Sequence, residues 1–251
     1  MVRPSQGNRT RPGVLLRALC LCAIGLAVPA QSQTHHDLRL GREAAFTGAG
    51  LVLHGVGLLK HEQNRSRPLP AIDHGRLPSI DRVATRQWST SADRASDLLF
   101  GVATVASLSV AIVNQQGEQP LLPVVIIAES GMFAAGLTHT VKEFVRRPRP
   151  YLYNAAVPAS AYHPGDDALS FWSGHTANVA AITFSTAMLV QRSEASPGSK
   201  RATWIGAALT PAAMGYLRVR AGRHFPTDVL TGYLVGAAVG LAIPYFHRTS
   251  K

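Results

Sequence analysis

Residues 121–141 read LLPVVIIAESGMFAAGLTHTV, an apolar stretch close to the roughly 20 residues that a membrane-spanning helix needs. Polar and apolar residues do not alternate in it as they would in a half-buried strand, so the pattern favours a helix. Comparable apolar stretches occur on both sides of it in the chain. They cover residues 44–59, 98–113, 176–190, 203–217 and 229–246. The sequence therefore predicts an all-α fold, a helical bundle of about six apolar helices.

Composition bears on whether this bundle lies in a membrane. The apolar fraction of 46%, the charged fraction of 16% and the mean hydropathy of +0.08 lie between those of a soluble enzyme and a small polytopic membrane protein. The segments are rich in Ala, Gly, Ser and Thr, which suits close packing between membrane helices. We therefore favour a membrane-embedded bundle, with a soluble helical core as the alternative.

The first thirty residues have the features of an export signal. Four arginines without an acidic residue precede an apolar stretch at 19–28, and Val28-Pro29-Ala30 supplies the small residues of a cleavage site. We expect residues 1–30 to be a signal peptide, with an uncleaved N-terminal anchor as the alternative. Both cysteines of the chain, Cys20 and Cys22, lie in this stretch, so the rest has no cysteine nucleophile or thiolate metal site.

The formal net charge of +11 indicates an anionic partner such as phosphate or a phospholipid headgroup. Nucleic acid is not expected, because the basic residues are not interleaved with stacking aromatics and no zinc-finger spacing occurs. Charged and small residues gather at the ends of the apolar segments in three clusters. These are KEFVRRPRP at 142–150, FWSGH at 171–175 and RVRAGRHFPTD at 218–228.

The clusters contain residues suited to binding phosphate. Lys142 offers a point charge, while Arg149 and Arg218 offer planar guanidinium groups that match phosphate oxygens. Ser173 and Gly174 precede an apolar helix, so a hydroxyl and backbone N–H groups can face an anion at the positive end of that helix. Each residue alone would be interpreted as a flanking charge or a helix cap. Their combination across three clusters indicates one phosphate site.

Two histidines in the clusters suit phosphoryl transfer. Because His224 and Asp228 are four residues apart at the start of a helix, the carboxylate can accept the ring N–H and leave the other nitrogen to attack phosphorus. A simple helix cap is the alternative for this pair. His175 can donate a proton to the leaving oxygen and later activate water. Arg146 and Arg147 add positive charge that we expect to engage a second phosphate or a lipid headgroup.

The spacing and order of these residues resemble the signature of the type 2 phosphatidic acid phosphatase superfamily, which includes bacterial lipid phosphatases, class A acid phosphatases and relatives of haloperoxidases. That signature is Lys, six residues, Arg-Pro; then Pro-Ser-Gly-His; then Ser-Arg, five residues, His, three residues, Asp. The matching positions are Lys142, Arg149, Pro150, Ser173, Gly174, His175, Arg218, His224 and Asp228. Trp172 stands where the family has Pro, and Leu217 where it has Ser. The resemblance covers residues 98–246, and the stretch before Asp97 takes no part in it.

This resemblance implies a helical bundle in which the three clusters converge at one end. It implies that His224 is the nucleophile, that His175 acts as general acid and then base, and that Asp228 orients His224. Five further residues would bind the phosphate, namely Lys142, Arg149, Arg218, Ser173 and Gly174. No metal or other cofactor is expected in this reaction, and no His-rich or carboxylate-rich run has the spacing of metal ligands.

We therefore expect a signal peptide at 1–30, an N-terminal helix and polar linker region at 31–97, and a phosphatase core at 98–247. The expected reaction is metal-independent hydrolysis of a lipid phosphate or pyrophosphate monoester through a phosphohistidine. The alternatives are a soluble periplasmic acid phosphatase, a vanadate-dependent haloperoxidase and a family member without activity. The sequence makes no prediction of oligomeric state.

The expected location is the inner membrane, with the site of the exported protein facing the periplasm. The positive charges within 192–201 and in the C-terminal tail would then face the cytoplasm, in accord with the positive-inside rule. After a cleaved signal, however, three spans before Lys142 would place the site in the cytoplasm. The periplasmic site therefore requires segment 44–59 to lie on the membrane surface or in its plane.

Overall fold

The computed structural model describes residues 36–114 and 121–248, and six α-helices make up most of these two ranges. They are α1, Leu40–Asn64; α2, Thr90–Asn114; α3, Leu122–Val145; α4, Gly174–Gln191; α5, Pro197–Arg220; and α6, Pro226–Phe246. Short 3-10 helices occupy the connections, and the β pairing within the described ranges is an isolated bridge between His36 and Arg248. The prediction of an all-α bundle of about six helices is confirmed. The predicted signal peptide lies outside the described residues.

Several helices are longer than the apolar stretches that predicted them. α1 extends beyond 44–59 at both ends, and α2 begins at Thr90 although the apolar stretch begins at 98. At the starts of α2 and α5, polar capping residues explain the difference, because they start a helix before its apolar face begins; before α2, the Ser89 hydroxyl accepts the Ala92 N–H (3.2 Å). At the start of α5, the Ser196 hydroxyl accepts the Ser199 N–H (3.2 Å) and Pro197 occupies the first turn.

The helices alternate in direction, which brings the three sequence clusters together. The first turn of α2 meets the last turn of α5, where Asp93 Oδ1 lies 2.7 Å from Arg218 Nη1. The starts of α4 and α6 meet where the Asp228 carbonyl accepts the Ser173 N–H (3.1 Å). α3 carries Lys142 in its last turn. We call this end of the bundle the site end.

α1 lies beside α3 and runs in the same direction. Near their starts Thr47 Oγ1 donates to Glu129 Oε1 (3.3 Å), and near their ends His61 Nδ1 lies 2.7 Å from Glu143 Oε1. The two backbones approach so closely that a Cβ at Gly136 would meet the α1 backbone. α1 therefore follows the direction of α3, unlike the surface or in-plane orientation that a periplasmic site was expected to require of 44–59.

α4 is the central helix of the bundle. It packs against α2, α3, α5 and α6, and most of its residues are buried. α6 reaches it through glycines: a Cβ at Gly236 would clash with the carbonyl of Ala177. Small residues where α4 and α6 meet allow close packing of the two helices. At the site end of this contact, the Ser173 N–H donates to the Asp228 carbonyl.

The outward faces of the bundle are apolar. Three stretches, Thr90–Asn114, Leu122–Tyr153 and Pro226–Phe246, are long and apolar enough to cross a membrane. α1 turns polar side chains towards α3, whereas its Val52 and Leu59 are 66% and 70% exposed. An apolar exterior over buried polar groups reverses the usual pattern of a soluble protein. These surfaces support a membrane location.

Candidate active site

The predicted phosphate-binding cations meet at the site end around His224. The ring of His224 is buried, and Arg149 Nη1 lies 3.4 Å from its Nε2. Burial, followed by the positive charges of Arg149, Lys142 and Arg218, holds the pKa of His224 well below its usual value of 6.5. His175 acts on it in the same direction. The three clusters therefore form one electropositive site around a neutral imidazole.

Arg149 is held by the loop that follows it. Its Nε donates to the Asp166 carbonyl (3.0 Å), and its Nη2 lies 2.5 Å from the Asp166 carboxylate. Its Nη1 donates to the carbonyl of Arg223 (2.9 Å), next to His224. Arg149 as a whole residue is 4% exposed. These contacts hold the planar guanidinium group of Arg149 in one orientation, in which Nη1 faces the His224 ring.

Arg218 is positioned by the first turns of α2. Its Nη1 donates to Asp93 Oδ1 (2.7 Å) and to Ser96 Oγ (2.9 Å). The other Asp93 oxygen pairs with Arg223 Nη2 (2.7 Å), so one carboxylate braces two arginines. The buried Nε of Arg218 has no hydrogen-bond partner among the described residues. It is a buried donor that an anion in the site would satisfy.

The His224 ring is oriented by a backbone carbonyl. Its Nδ1 lies 2.7 Å from the carbonyl of Ser170, and since a carbonyl only accepts, Nδ1 carries the proton. The lone pair of a neutral ring is then on Nε2, the atom that faces Arg149. This is the protonation state that a nucleophilic histidine needs.

Asp228 does not accept the His224 ring N–H as the sequence predicted, because its oxygens have other donors. Its Oδ2 is 3.8 Å from Nδ1 and accepts instead from Ser170 Oγ (2.6 Å) and from the Phe225 N–H (3.0 Å). The second of these is a helix-capping bond, which follows from the place of Asp228 in the first turn of α6. Asp228 therefore positions the two segments that hold His224, and reaches the ring through Ser170.

Arg147 and Arg146 make contacts within the protein that the sequence did not predict, and their binding of a second phosphate or a lipid headgroup stays a prediction. Arg147 lies between two buried carboxylates, 2.5 Å from Asp228 Oδ1 and 2.7 Å from Asp81 Oδ2. Asp81 also accepts the Thr227 N–H (3.0 Å). Arg146 donates to backbone carbonyls in the connection after α1. Both arginines thus hold loops in place.

His175 lies at the more open side of the site. Its Nε2 is 3.0 Å from Asp97 Oδ1, its ring packs on Phe100 with centroids 5.6 Å apart, and its side chain is 34% exposed. Burial and then the charge of Arg218 lower the pKa of His175 to about 4, against the opposing effect of Asp97. His175 is therefore neutral at pH 7 in the unliganded site.

Ser173 and Gly174 form the start of α4 below the site. The Ser173 side chain caps the helix, accepting from the Thr176 N–H (3.4 Å) and contacting the Thr176 hydroxyl (2.9 Å). Its hydroxyl is thus used inside the protein, so its part in phosphate binding stays a prediction. Trp172, where the signature has Pro, bonds through Nε1 to Thr138 Oγ1 (2.8 Å) and fixes the preceding turn.

Sequence reasoning missed the acidic residues that position the cations. They are Asp81, Asp93, Asp97 and Asp166. Three of these lie in the stretch up to residue 97, to which no role in the site was assigned. Asp93 and Asp97 are four residues apart at the start of an apolar helix, and that spacing was the one available signal.

The chain is similar to known proteins of one family. A family model described as the PAP2 superfamily matches residues 123–251. Among solved structures, the crystal structure of the first transmembrane PAP2 type phosphatidylglycerolphosphate phosphatase from Bacillus subtilis is similar, with a TM-score of 0.47 and 20% identity over 79% of this chain and 95% of that chain. No curated protein matches the chain. The family model spans more than half of the chain and includes every predicted site residue, so the chain belongs to the PAP2 superfamily, and this membership supports a phosphatase.

Proposed function

We propose that the chain hydrolyses a lipid phosphate or pyrophosphate monoester through a phosphohistidine on His224. The observation that carries the proposal is the state of the His224 ring. Its Nδ1–H is bonded to the Ser170 carbonyl, and its Nε2 lies 3.4 Å from Arg149. A neutral imidazole beside a guanidinium is arranged to attack a phosphorus atom whose oxygens that guanidinium binds.

In the first step, His224 Nε2 bonds to phosphorus while the bond from phosphorus to the leaving oxygen breaks. His175 gives its proton to that oxygen, and a lipid alcohol or lipid monophosphate departs. The pKa of His175 is about 4 before substrate binds, so the proton must be gained on binding. A phosphate dianion beside Arg218 and Lys142 cancels their positive field at His175 and raises that pKa.

The second step releases phosphate. Neutral His175 takes a proton from a water molecule, whose oxygen bonds to phosphorus as the bond to His224 Nε2 breaks. The products are inorganic phosphate and a neutral His224, and His175 again carries a proton. The same side chain therefore serves as acid and then as base, as the sequence predicted.

Lys142, Arg149 and Arg218 would bind the three non-bridging oxygens of the phosphoryl group. Charge on these oxygens must be stabilised while phosphorus exchanges its attacking and leaving atoms. The buried Nε of Arg218 and the Nη1 edge of Arg149 supply donors already fixed in place. Donors of this kind each contribute roughly 10²- to 10³-fold to the rate of comparable reactions.

An apolar groove supports a lipid as the substrate. It lies between α2, α3 and α4, has a volume of about 370 Å³ and is lined by side chains that include Phe100, Leu108 and Ile127. Phe100 also packs on the His175 ring. The groove therefore begins beside the proposed general acid, where the hydrocarbon part of the leaving group would lie.

We propose that the site end faces the periplasm. The proposal is supported by the positive charges at the ends of the bundle opposite the site, Arg192, Lys200, Arg201 and Arg248, although the connection between α1 and α2 at the site end carries five arginines of its own. Because α1 is parallel to α3, the start of α1 then lies on the cytoplasmic side. The proposed orientation is therefore incompatible with the cleaved signal at 1–30 that the sequence predicted. The apolar outer faces favour this membrane form over a soluble periplasmic acid phosphatase.

Turnover of two substrates tests the proposed substrate class. Detergent-extracted protein should hydrolyse phosphatidic acid in mixed micelles with a kcat/KM roughly 100-fold above that for p-nitrophenyl phosphate, because each buried methylene contributes about 0.8 kcal/mol. His224→Ala should remove both activities. Quantitative recovery of the protein in a salt-washed soluble fraction, with equal kcat/KM for the two substrates, would instead establish the soluble acid phosphatase.

A further inference from the structure

Three metal-ligating side chains meet at the end of the bundle opposite the site. Glu43 comes from the first turns of α1, Glu129 from the second turn of α3, and His247 directly follows α6. Along α3, Glu129 is about 20 Å from Lys142, given 1.5 Å per residue. The three residues are far apart in the sequence, so spacing along the chain did not reveal them. We call them the Glu43–Glu129–His247 cluster.

One ligand atom of each residue points into the cluster. His247 Nε2 lies 2.6 Å from Glu43 Oε2 and 3.1 Å from Glu129 Oε2, and the three atoms all lie within 4.8 Å of one another. His247 and Glu129 are buried, and Glu43 is largely so. Two carboxylate oxygens and one imidazole nitrogen form a ligand set that Zn²⁺ and related divalent ions accept.

The remaining polar atom of each residue is held from outside the cluster. His247 Nδ1 donates to the Ile243 carbonyl (2.7 Å), and Thr47 donates to Glu129 Oε1 (3.3 Å). Arg42 Nη2 and the Arg39 backbone N–H donate to Glu43 Oε1 (3.0 and 2.9 Å). Hydrogen bonds of this kind orient the side chains of metal sites and fix the histidine tautomer.

The hydrogen bonds of the described residues leave one polar atom of the cluster, Glu129 Oε2, unsatisfied. With its proton on Nδ1, a neutral His247 turns a lone pair towards two carboxylates. A proton on Nε2 could be directed at Glu43, but Glu129 Oε2 would remain buried without a hydrogen bond from any described residue. A buried carboxylate oxygen without a hydrogen bond is costly. One divalent ion would bind both carboxylates and the imidazole lone pair together.

We propose that Glu43, Glu129 and His247 bind one divalent transition-metal ion of the zinc class, as a structural site. The ion would join α1 to α3 and to the end of α6. α1 lies outside the residues matched by the family model, 123–251, so the site would fasten this additional helix to the family core. The site lies away from the phosphoryl chemistry, and the proposal does not depend on the proposed function.

Calorimetric titration with Zn²⁺ tests the proposal. Full-length protein in detergent is stripped with EDTA, dialysed into metal-free buffer and titrated with ZnCl₂. One Zn²⁺ per chain should bind and raise the melting temperature, because an ion that binds the folded state stabilises it. His247→Ala and Glu129→Gln should each weaken Zn²⁺ binding by roughly 100-fold or more. His74→Ala, which removes an exposed histidine, should bind Zn²⁺ as the wild type does.

Two results would overturn the proposal. The first is a folded wild-type protein that binds no stoichiometric Zn²⁺, which would leave the cluster as an imidazolium between carboxylates. The second is Zn²⁺ binding that His247→Ala and Glu129→Gln leave unchanged. A cooperative melting transition in metal-free buffer shows whether each variant is folded. If a variant is unfolded, the wild-type titration decides alone, with Co²⁺ absorption reporting nitrogen and oxygen ligands.

Discussion

His224 Nδ1 lies 2.7 Å from the carbonyl oxygen of Ser170, and this contact sets which ring nitrogen is free. A carbonyl cannot be protonated or titrated in the working range, so the tautomer of His224 does not depend on the charge of a partner. Asp228 acts one step further away, through the Ser170 hydroxyl and the Phe225 N–H. The proposed nucleophile, His224, is thus positioned by the turn before α4 as much as by its own segment.

Asp228→Asn should lower kcat by roughly 100-fold with little change in KM, because the turn around Ser170 loses its anchor and Arg147 loses a carboxylate. Ser170→Ala keeps the carbonyl that bonds His224 and should cost tenfold or less, about the value of one hydrogen bond. Steady-state kinetics on the purified variants measures both. A larger loss in Ser170→Ala than in Asp228→Asn would refute the positioning role of Asp228.

Arg149→Lys should lower kcat/KM by roughly 10²- to 10³-fold although the positive charge is kept, because lysine cannot bond Asp166, the Arg223 carbonyl and phosphate together. Arg65→Lys is the matched control, since Arg65 is exposed on the connection after α1. Kinetics should be paired with melting temperatures. An Arg149→Lys variant with wild-type kcat/KM would show that the planar fork is unnecessary.

Asp97→Asn should move the alkaline limb of the kcat–pH profile to lower pH. Asp97 raises the pKa of His175 through its hydrogen bond and its charge, so its removal lowers that pKa and leaves less protonated acid at any given pH. The rate at pH 7 should fall by roughly threefold to tenfold. Glu62→Gln removes an exposed carboxylate of α1 and should leave the profile unchanged. An unmoved limb in Asp97→Asn would argue against His175 as the acid.

Reporter fusions should show that the end of α2 and the end of α6, both opposite the site end, lie on the same side of the membrane. A reporter at Gln116, just beyond the end of α2, and one after the C-terminus should both report cytoplasm, because α2 and α6 run away from the site end. A reporter inserted at Ala156, in the site-end loop, should report periplasm. Signals on opposite sides from Gln116 and the C-terminus would contradict the alternating bundle. A cytoplasmic signal at Ala156 would overturn only the periplasmic assignment.

The helices and the positively charged residues at the site end could be predicted from sequence, because both produce recognisable patterns among neighbouring residues. Apolar length identified all six helices. The spacing from Lys142 to Arg149 and from His224 to Asp228 predicted site residues, which the fold brings to one end of the bundle. The predicted start of a helix was too late where a polar capping residue such as Ser196 begins the helix before its apolar residues.

The aspartates that hold the arginines of the site could not be predicted, because their ion pairs join residues that only the fold brings together. Asp93 braces Arg218, and Asp81 braces Arg147, across long stretches of chain. A lone aspartate in a polar stretch resembles any solvated charge. Its burial against an arginine that is distant in the sequence therefore cannot be predicted from the spacing of neighbouring residues. The same holds for the Glu43–Glu129–His247 cluster, which joins three separate helices.

Trapping of the phosphorylated protein tests the central claim, that His224 is the nucleophile, most directly. A ³²P-labelled aryl phosphate has a leaving group that needs no proton, so the first step should survive in His175→Asn while hydrolysis of the intermediate is slowed. After an alkaline quench, this variant should retain close to one label per chain, mapped to His224, and His224→Ala should retain none. Turnover without any trapped label in His175→Asn, or a label on another residue, would contradict the account.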